Sequence, residues 1–207
     1  MLSNATILLI RHAEKPGHPA AADKQGDDPF LAPLGWQRSQ RYVGYFRSFQ
    51  ARKADGSGST PIALTNIIAA ADNLNTSYRP HQTVQPLADA TELPFDVSVT
   101  DKRFQDLVSM LQKGNYDEAN VLVCWHHGQI IQLADALLAH GGVKPSQLPP
   151  DNTWPKPPWP GDVFGWILQI RYDSSGKVLP AWTRCFNERL MPDDTKDPPL
   201  AAQALQA

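Results

Sequence analysis

Three short segments of the chain carry side chains that could act together on an oxyanion. The first is Arg11-His12-Ala13-Glu14-Lys15, the second Ser77-Tyr78-Arg79-Pro80-His81-Gln82-Thr83, and the third Trp125-His126-His127-Gly128. Two guanidinium forks can hold several oxygens of a phosphoryl group while neutralising its charge. A neutral imidazole, with an ordinary pKa of about 6.5, is a competent nucleophile at phosphorus near neutral pH. A second imidazole can donate a hydrogen bond to the phosphoryl oxygens. The helices expected to open at Pro80 and Gln129 add N-terminal N–H groups and positive dipole ends.

These segments need elements to bring them together. The run Thr6 to Ile10, TILLI, is a continuous apolar stretch of the kind buried on both faces of a parallel sheet. Asn66 to Ala70, Phe95 to Val99 and Asn120 to Cys124 read as further strands. Gly35 to about Ala51 has apolar residues at Trp36, Tyr42, Val43, Phe46 and Phe49, a helical spacing. Pro80 to Ala90 reads as a helix with proline at its first position, kinked or shortened by Pro86. Lys102 to Lys113 puts Phe104, Leu107, Val108 and Leu111 on one face, with Gly114 as C-cap. Gln129 to His140 is an amphipathic helix ended by Gly141 and Gly142. Phe164 to Tyr172 and Val178 to Phe186 flank the turn DSSG and read as an antiparallel pair.

Strand and helix alternate, which predicts an α/β protein: a three-layer α/β/α sandwich with a mostly parallel central sheet. Ligands in such sheets bind beyond the carboxyl ends of the strands. Arg11-His12 and His126-His127 directly follow two of the expected strands, and Arg79 stands at the entrance to a helix.

At 207 residues the chain is expected to be a single domain over 1–207. Its 42% apolar and 19% charged residues suffice for a core and exclude a disordered polymer. Nineteen basic and 21 acidic residues leave a formal charge of −2, without the basic excess of a nucleic-acid binder. No apolar run reaches the roughly 18 residues of a membrane span, and the first residues lack the pattern of a secretory signal, so a cytoplasmic protein is expected. Two cysteines, Cys124 and Cys185, cannot build a disulfide framework or a thiolate zinc site. No H-x-x-x-H or H-x-x-E-H pattern is present, so no metal and no cofactor are expected. Pro16 to Pro33 and Lys53 to Pro61 read as loops, the latter flexible. Six of 19 prolines fall in PPDNTWPKPPWP, Pro149 to Pro160, which reads as a stiff connector carrying Trp154 and Trp159.

The three segments together resemble the histidine phosphatase, or phosphoglycerate mutase-like, superfamily. LLIRHAEKP is similar to its opening Arg-His-Gly/Ala signature, SYRPHQTVQPLA to its second-arginine segment with arginine four residues before threonine, and VLVCWHHGQI to its second-histidine segment. The resemblance spans about residues 5 to 172. It implies a phosphoglycerate mutase-like fold and a histidine acid phosphatase-like phosphoric monoester hydrolase. His12 would be the nucleophile, with Arg11, Arg79 and His127 binding the phosphoryl group. His127 is chosen over His126 because it directly precedes Gly128; His126 would point off the pocket or line its edge. The partner expected is a small phosphomonoester or other phosphorylated substrate, with no nucleic acid and no membrane, and the substrate and oligomeric state stay open.

No distinctive glutamate motif marks the general acid. Glu14, Asp101, Asp106 and His126 are candidates by position, with Asp101 preferred because it follows the strand end at Val97 to Thr100. Two other readings remain open at this point: a mutase, in which a second substrate hydroxyl replaces water, and a non-catalytic module that binds a phosphorylated ligand.

Overall fold

The computed structural model describes residues 2–17, 28–71, 77–114 and 116–200. Its strands are β1 (Thr6–Arg11), β2 (Gln50–Arg52), β3 (Ser59–Pro61), β4 (Asn66–Ala69), β5 (Phe95–Asp96), β6 (Asn120–Trp125), β7 (Trp166–Arg171) and β8 (Arg184–Asn187). Its α-helices are α1 (Pro33–Arg47), α2 (Arg79–Thr91), α3 (Phe104–Gln112) and α4 (Ile130–His140). Six strands form one sheet in the order β5-β4-β6-β1-β7-β8. The pairs β5/β4, β4/β6 and β6/β1 are parallel, while β7 runs against both β1 and β8.

Side chains alternate across the sheet and build two cores. Leu8, Ile10, Ile67, Ala69 and Leu122 pack under Tyr42, Phe46, Val84 and Leu87 of α1 and α2. Ile7, Leu9, Ile68, Val121 and Val123 pack under Leu107, Leu111, Ile131 and Ala134 of α3 and α4. The fold is thus the three-layer α/β/α sandwich expected, with a mostly parallel sheet. TILLI and NVLVC are apolar at nearly every position because both faces of β1 and β6 are covered.

Several local expectations are corrected. The 53–61 stretch is no free loop: Gln50–Arg52 and Ser59–Pro61 pair as a hairpin, and the helix expected to reach Ala51 ends at Arg47. Trp36, counted in the apolar pattern of α1, is 39% exposed. Pro86 does not shorten α2, which spans Arg79–Thr91, a residue beyond the expected helix at each end. Proline at 86 removes the hydrogen bond that the Gln82 carbonyl would accept in the helix; the Ser39 hydroxyl of α1 donates to that carbonyl instead, at 2.8 Å. Strand β5 stops at Asp96, short of Val99. The segment expected to form one long strand over 178–186 holds a single bridge at Val178, a turn of 3₁₀ helix over Pro180–Trp182 and then β8. Of the loop expected over 16–33, residues 18–27 lie outside the described ones, as do 72–76 of the stretch before Arg79.

Candidate active site

Strand register brings the first and third segments together. Arg11 pairs with Trp125 in the β1/β6 ladder, and the His12 N–H donates to the Trp125 carbonyl at 3.1 Å. The residues just past the two strands, His12 and His126, therefore stand side by side. Their ring centroids lie 5.5 Å apart, edge to face, and His127 lies 6.0 Å from His12. His126 thus packs against His12, slightly nearer than His127, whose Nδ1 is buried with no hydrogen-bond partner among the described residues.

The second segment is tied in through Thr83. Its hydroxyl accepts the Ala13 N–H at 2.8 Å and donates to the Arg79 carbonyl at 2.7 Å. The four-residue spacing from Arg79 to Thr83 is one helical turn, so a single buried hydroxyl locks the start of α2 to the loop after β1. Arg79 Nη1 donates to the Asp28 carbonyl at 2.6 Å.

His12 is buried. Its Nδ1 lies 2.8 Å from the Ala13 carbonyl oxygen, which can only accept, so Nδ1 carries the proton and Nε2 the lone pair. Burial, reinforced by the charge of Arg11 and by His126, holds its pKa well below 6.5, so the ring is neutral at pH 7. Burial likewise pushes His126 down, against the charge of Asp101, and lowers His127 to about 4.

Arg11 is wholly buried and has no carboxylate partner among the described residues. Its Nη1 donates to the carbonyls of Pro160, Gly161 and Val163 at 3.0, 3.0 and 2.9 Å, and the guanidinium lies over the Phe164 ring at 3.9 Å. Its Nε and Nη2 are buried with no acceptor among the described residues. Burial lowers its pKa to about 9. The proline-rich segment is accordingly more than a connector. Trp154 and Trp159 are buried, the Trp159 indole N–H donates to the Val163 carbonyl, and the chain after them presents its carbonyls to Arg11. Sequence reasoning missed this support, because carbonyl groups carry no residue-type signal.

The candidate acids separate. Glu14 is buried and takes hydrogen bonds from Arg38, whose Nη1 also meets Glu188 at 2.5 Å and whose Nη2 meets Asp194 at 2.8 Å. Glu14 therefore belongs to an internal ion cage. Asp106 pairs with Arg103 at the surface. Asp101 opens a turn of 3₁₀ helix, its carbonyl accepts the Trp125 indole N–H at 3.3 Å, and its charge acts on His126. Lys15 is exposed, with its charge near His127. His81, counted with the clustered histidines, bonds Gln85 along its own helix and packs on Phe95. Among the described residues no group of three or more His, Cys, Asp or Glu is arranged to hold a metal ion, and no helix is long and apolar enough to cross a membrane.

No family model matches the chain, and no curated protein matches it. Solved structures do. One, provisionally named an alpha-ribazole-5'-P phosphatase, from Escherichia coli, matches with a TM-score of 0.56 at 13% identity over 90% of this chain and 98% of that one. A chain from Nakamurella multipartitia, provisionally named the phosphohistidine phosphatase SixA, matches at 0.49 and 16% identity over 87% and 92%. A mycobacterial glucosyl-3-phosphoglycerate phosphatase matches at 0.45 and 15% over 87% and 95%. The first of these carries the assignment of fold, which is phosphoglycerate mutase-like.

Proposed function

We propose that the protein is a phosphomonoesterase working through a phosphohistidine on His12. One observation carries this reading. A buried arginine with two unspent N–H positions and no carboxylate partner among the described residues, Arg11, adjoins a buried neutral imidazole whose lone pair is on Nε2. A buried cation without a counter-charge costs several kcal/mol, and a phosphoryl dianion would offset that cost at the same spot where a nucleophile waits. The phosphatase name of the Escherichia coli neighbour is in keeping with it.

In this reading His12 Nε2 attacks phosphorus in line, the P–O ester bond breaks, and the leaving oxygen takes a proton from an acid. Water then attacks phosphorus, the P–N bond breaks, and inorganic phosphate leaves. Arg11 and Arg79 neutralise the transferring group. His126, set against His12 by the strand register, and His127, whose Nδ1 is buried with no partner among the described residues, both offer the second imidazole that donates to a phosphoryl oxygen.

A panel of phosphomonoesters, turned over by wild type and by His12→Ala and quenched in base, tests the reading. Expected are turnover and a base-stable, acid-labile phosphate on His12 in the wild type, and neither in the variant. Phosphate binding with no turnover of any ester would leave a binding module instead.

A further inference from the structure

The β2–β3 hairpin and the start of β8 enclose a second polar cleft of about 490 Å³, lined by Arg52, Arg184, Ser57 and Ser59 with glycines between. It is remote from His12. Arg184 pairs with Gln169 and Gln169 with Leu8, two strands across and well before the end of β1 at Arg11. The Gln169 side chain also fixes the hairpin, accepting the Arg52 N–H at 2.9 Å and donating to the Arg52 carbonyl at 2.8 Å.

Two guanidinium groups meet here over one ring. Arg52 lies 4.5 Å and Arg184 5.9 Å from the centroid of Phe186. Neither has a carboxylate partner among the described residues. The nearby acid, Asp55, is spent on the hairpin turn, accepting the Ser57 N–H at 2.8 Å. Arg184 Nη1 donates to the Lys53 carbonyl at 2.7 Å, but its Nε is buried with no acceptor among the described residues. Among those residues the Arg52 side chain has no hydrogen-bond acceptor either. Contact with Phe186 explains why each guanidinium packs on the ring. It does not explain why two like charges share one cleft with donors unspent and no anion between them. Two forks and the Ser59 hydroxyl offer more donors than a carboxylate uses, and suit a tetrahedral oxyanion.

We propose that this cleft is a second, non-catalytic anion site that takes a dianion of the phosphate class, with Arg52 and Arg184 sharing its oxygens. The proposal is independent of the phosphomonoesterase reading. Inorganic phosphate is titrated into the full-length protein at constant ionic strength, with backbone amide NMR shifts read at Gly56, Ser57, Gly58 and Ser59. Sodium chloride and acetate serve as parallel titrants. Saturable shifts with phosphate are expected in the wild type. Binding at these amides should weaken at least tenfold in Arg52→Gln and in Arg184→Gln, while hydrolysis of p-nitrophenyl phosphate is unchanged. If Arg184→Gln does not fold, Arg52→Gln carries the test, since that side chain holds no other element by a hydrogen bond. Absent shifts, shifts equalled by chloride or acetate, or shifts that persist in Arg52→Gln overturn the proposal.

Discussion

The Glu14 carboxylate receives three hydrogen bonds from the Arg38 guanidinium, at 3.0, 3.1 and 2.6 Å, and both side chains are shut off from water. Glu14 lies two residues past His12, so this pair fixes the loop that follows the candidate nucleophile. The backbone is held as well: the Ala32 N–H donates to the Glu14 carbonyl at 3.0 Å, and a Cβ at Gly35 would run into that same oxygen. Arg38→Met would strand three buried carboxylates and should cost on the order of 3–5 kcal/mol. Urea denaturation checks this as a lowered midpoint. Arg38→Lys should recover little, because an ammonium cannot reach Glu14, Glu188 and Asp194 in one plane. A midpoint unmoved by Arg38→Met would show that the cage contributes nothing net.

The same cage makes stability depend on pH. Burial pushes Glu188 up to about 7 from an ordinary 4.5, against the pull of Arg38. The folded state therefore keeps a proton that the unfolded chain has lost between those values, and stability falls as pH rises through that window. A tenfold difference in proton affinity between the two states is worth about 1.4 kcal/mol. Glu188→Gln should flatten the difference in urea midpoint between pH 5 and pH 7.5. An equally steep difference in the variant would place its origin elsewhere.

Some of this was legible in the sequence and some was not. TILLI and NVLVC announce buried strands, since a run so continuously apolar suits a sheet covered on both faces. Arg11, His12 and Arg79 stand out because strand ends and helix starts of an α/β sheet are where ligands bind. The packing of His126 against His12 was not legible. It depends on the register that sets Arg11 against Trp125, and no feature of WHHG reveals it. The Arg38 cage was equally hidden, joining residues 24 and 150 positions apart. That α2 keeps its full length past Pro86 was not legible either, because the compensating donor, Ser39, sits on another helix.

Burial and the charge of Arg11 hold His12 neutral well below its ordinary pKa. The nucleophile should thus stay competent in mild acid. The kcat/KM for p-nitrophenyl phosphate, expressed for the dianion by dividing out the ester's own ionisation near about 6, should remain level from about pH 8 to below about pH 6. An acid limb near about 6.5 would mean that His12 titrates as an exposed imidazole. His12→Ala should lose on the order of 10³-fold or more in rate. Because both protonation states of an exposed ring would be available near neutral pH, the level profile and the loss in the variant together separate a buried nucleophile from a merely structural histidine.

The proton for the leaving oxygen distinguishes the remaining acid candidates. Glu14 is held in the Arg38 cage and Asp106 faces Arg103 at the surface, so neither is placed to reach a bridging oxygen. His126 is next to His12, but burial lowers its pKa, which suits a neutral hydrogen-bond donor more than an acid. Asp101 is partly exposed, acts electrostatically on His126, and has its backbone pinned by the Trp125 indole at 3.3 Å. It is also not the residue that caps its helical turn: Thr100 occupies that position, and no side-chain cap bond is made. Asp101→Asn therefore removes an ionisable carboxyl without removing a cap. An alkyl leaving group needs a proton far more than p-nitrophenolate does. If Asp101 supplies it, directly or through His126, Asp101→Asn should slow hydrolysis of an alkyl phosphate by about 10²-fold, within the range general acids contribute, and leave p-nitrophenyl phosphate within a few-fold of wild type. His126→Asn should slow both esters alike, since in the proposed mechanism its imidazole donates to the phosphoryl group common to them. Equal losses on the two esters in Asp101→Asn would assign Asp101 a structural role, and a loss confined to the alkyl ester in His126→Asn would move the acid to the imidazole.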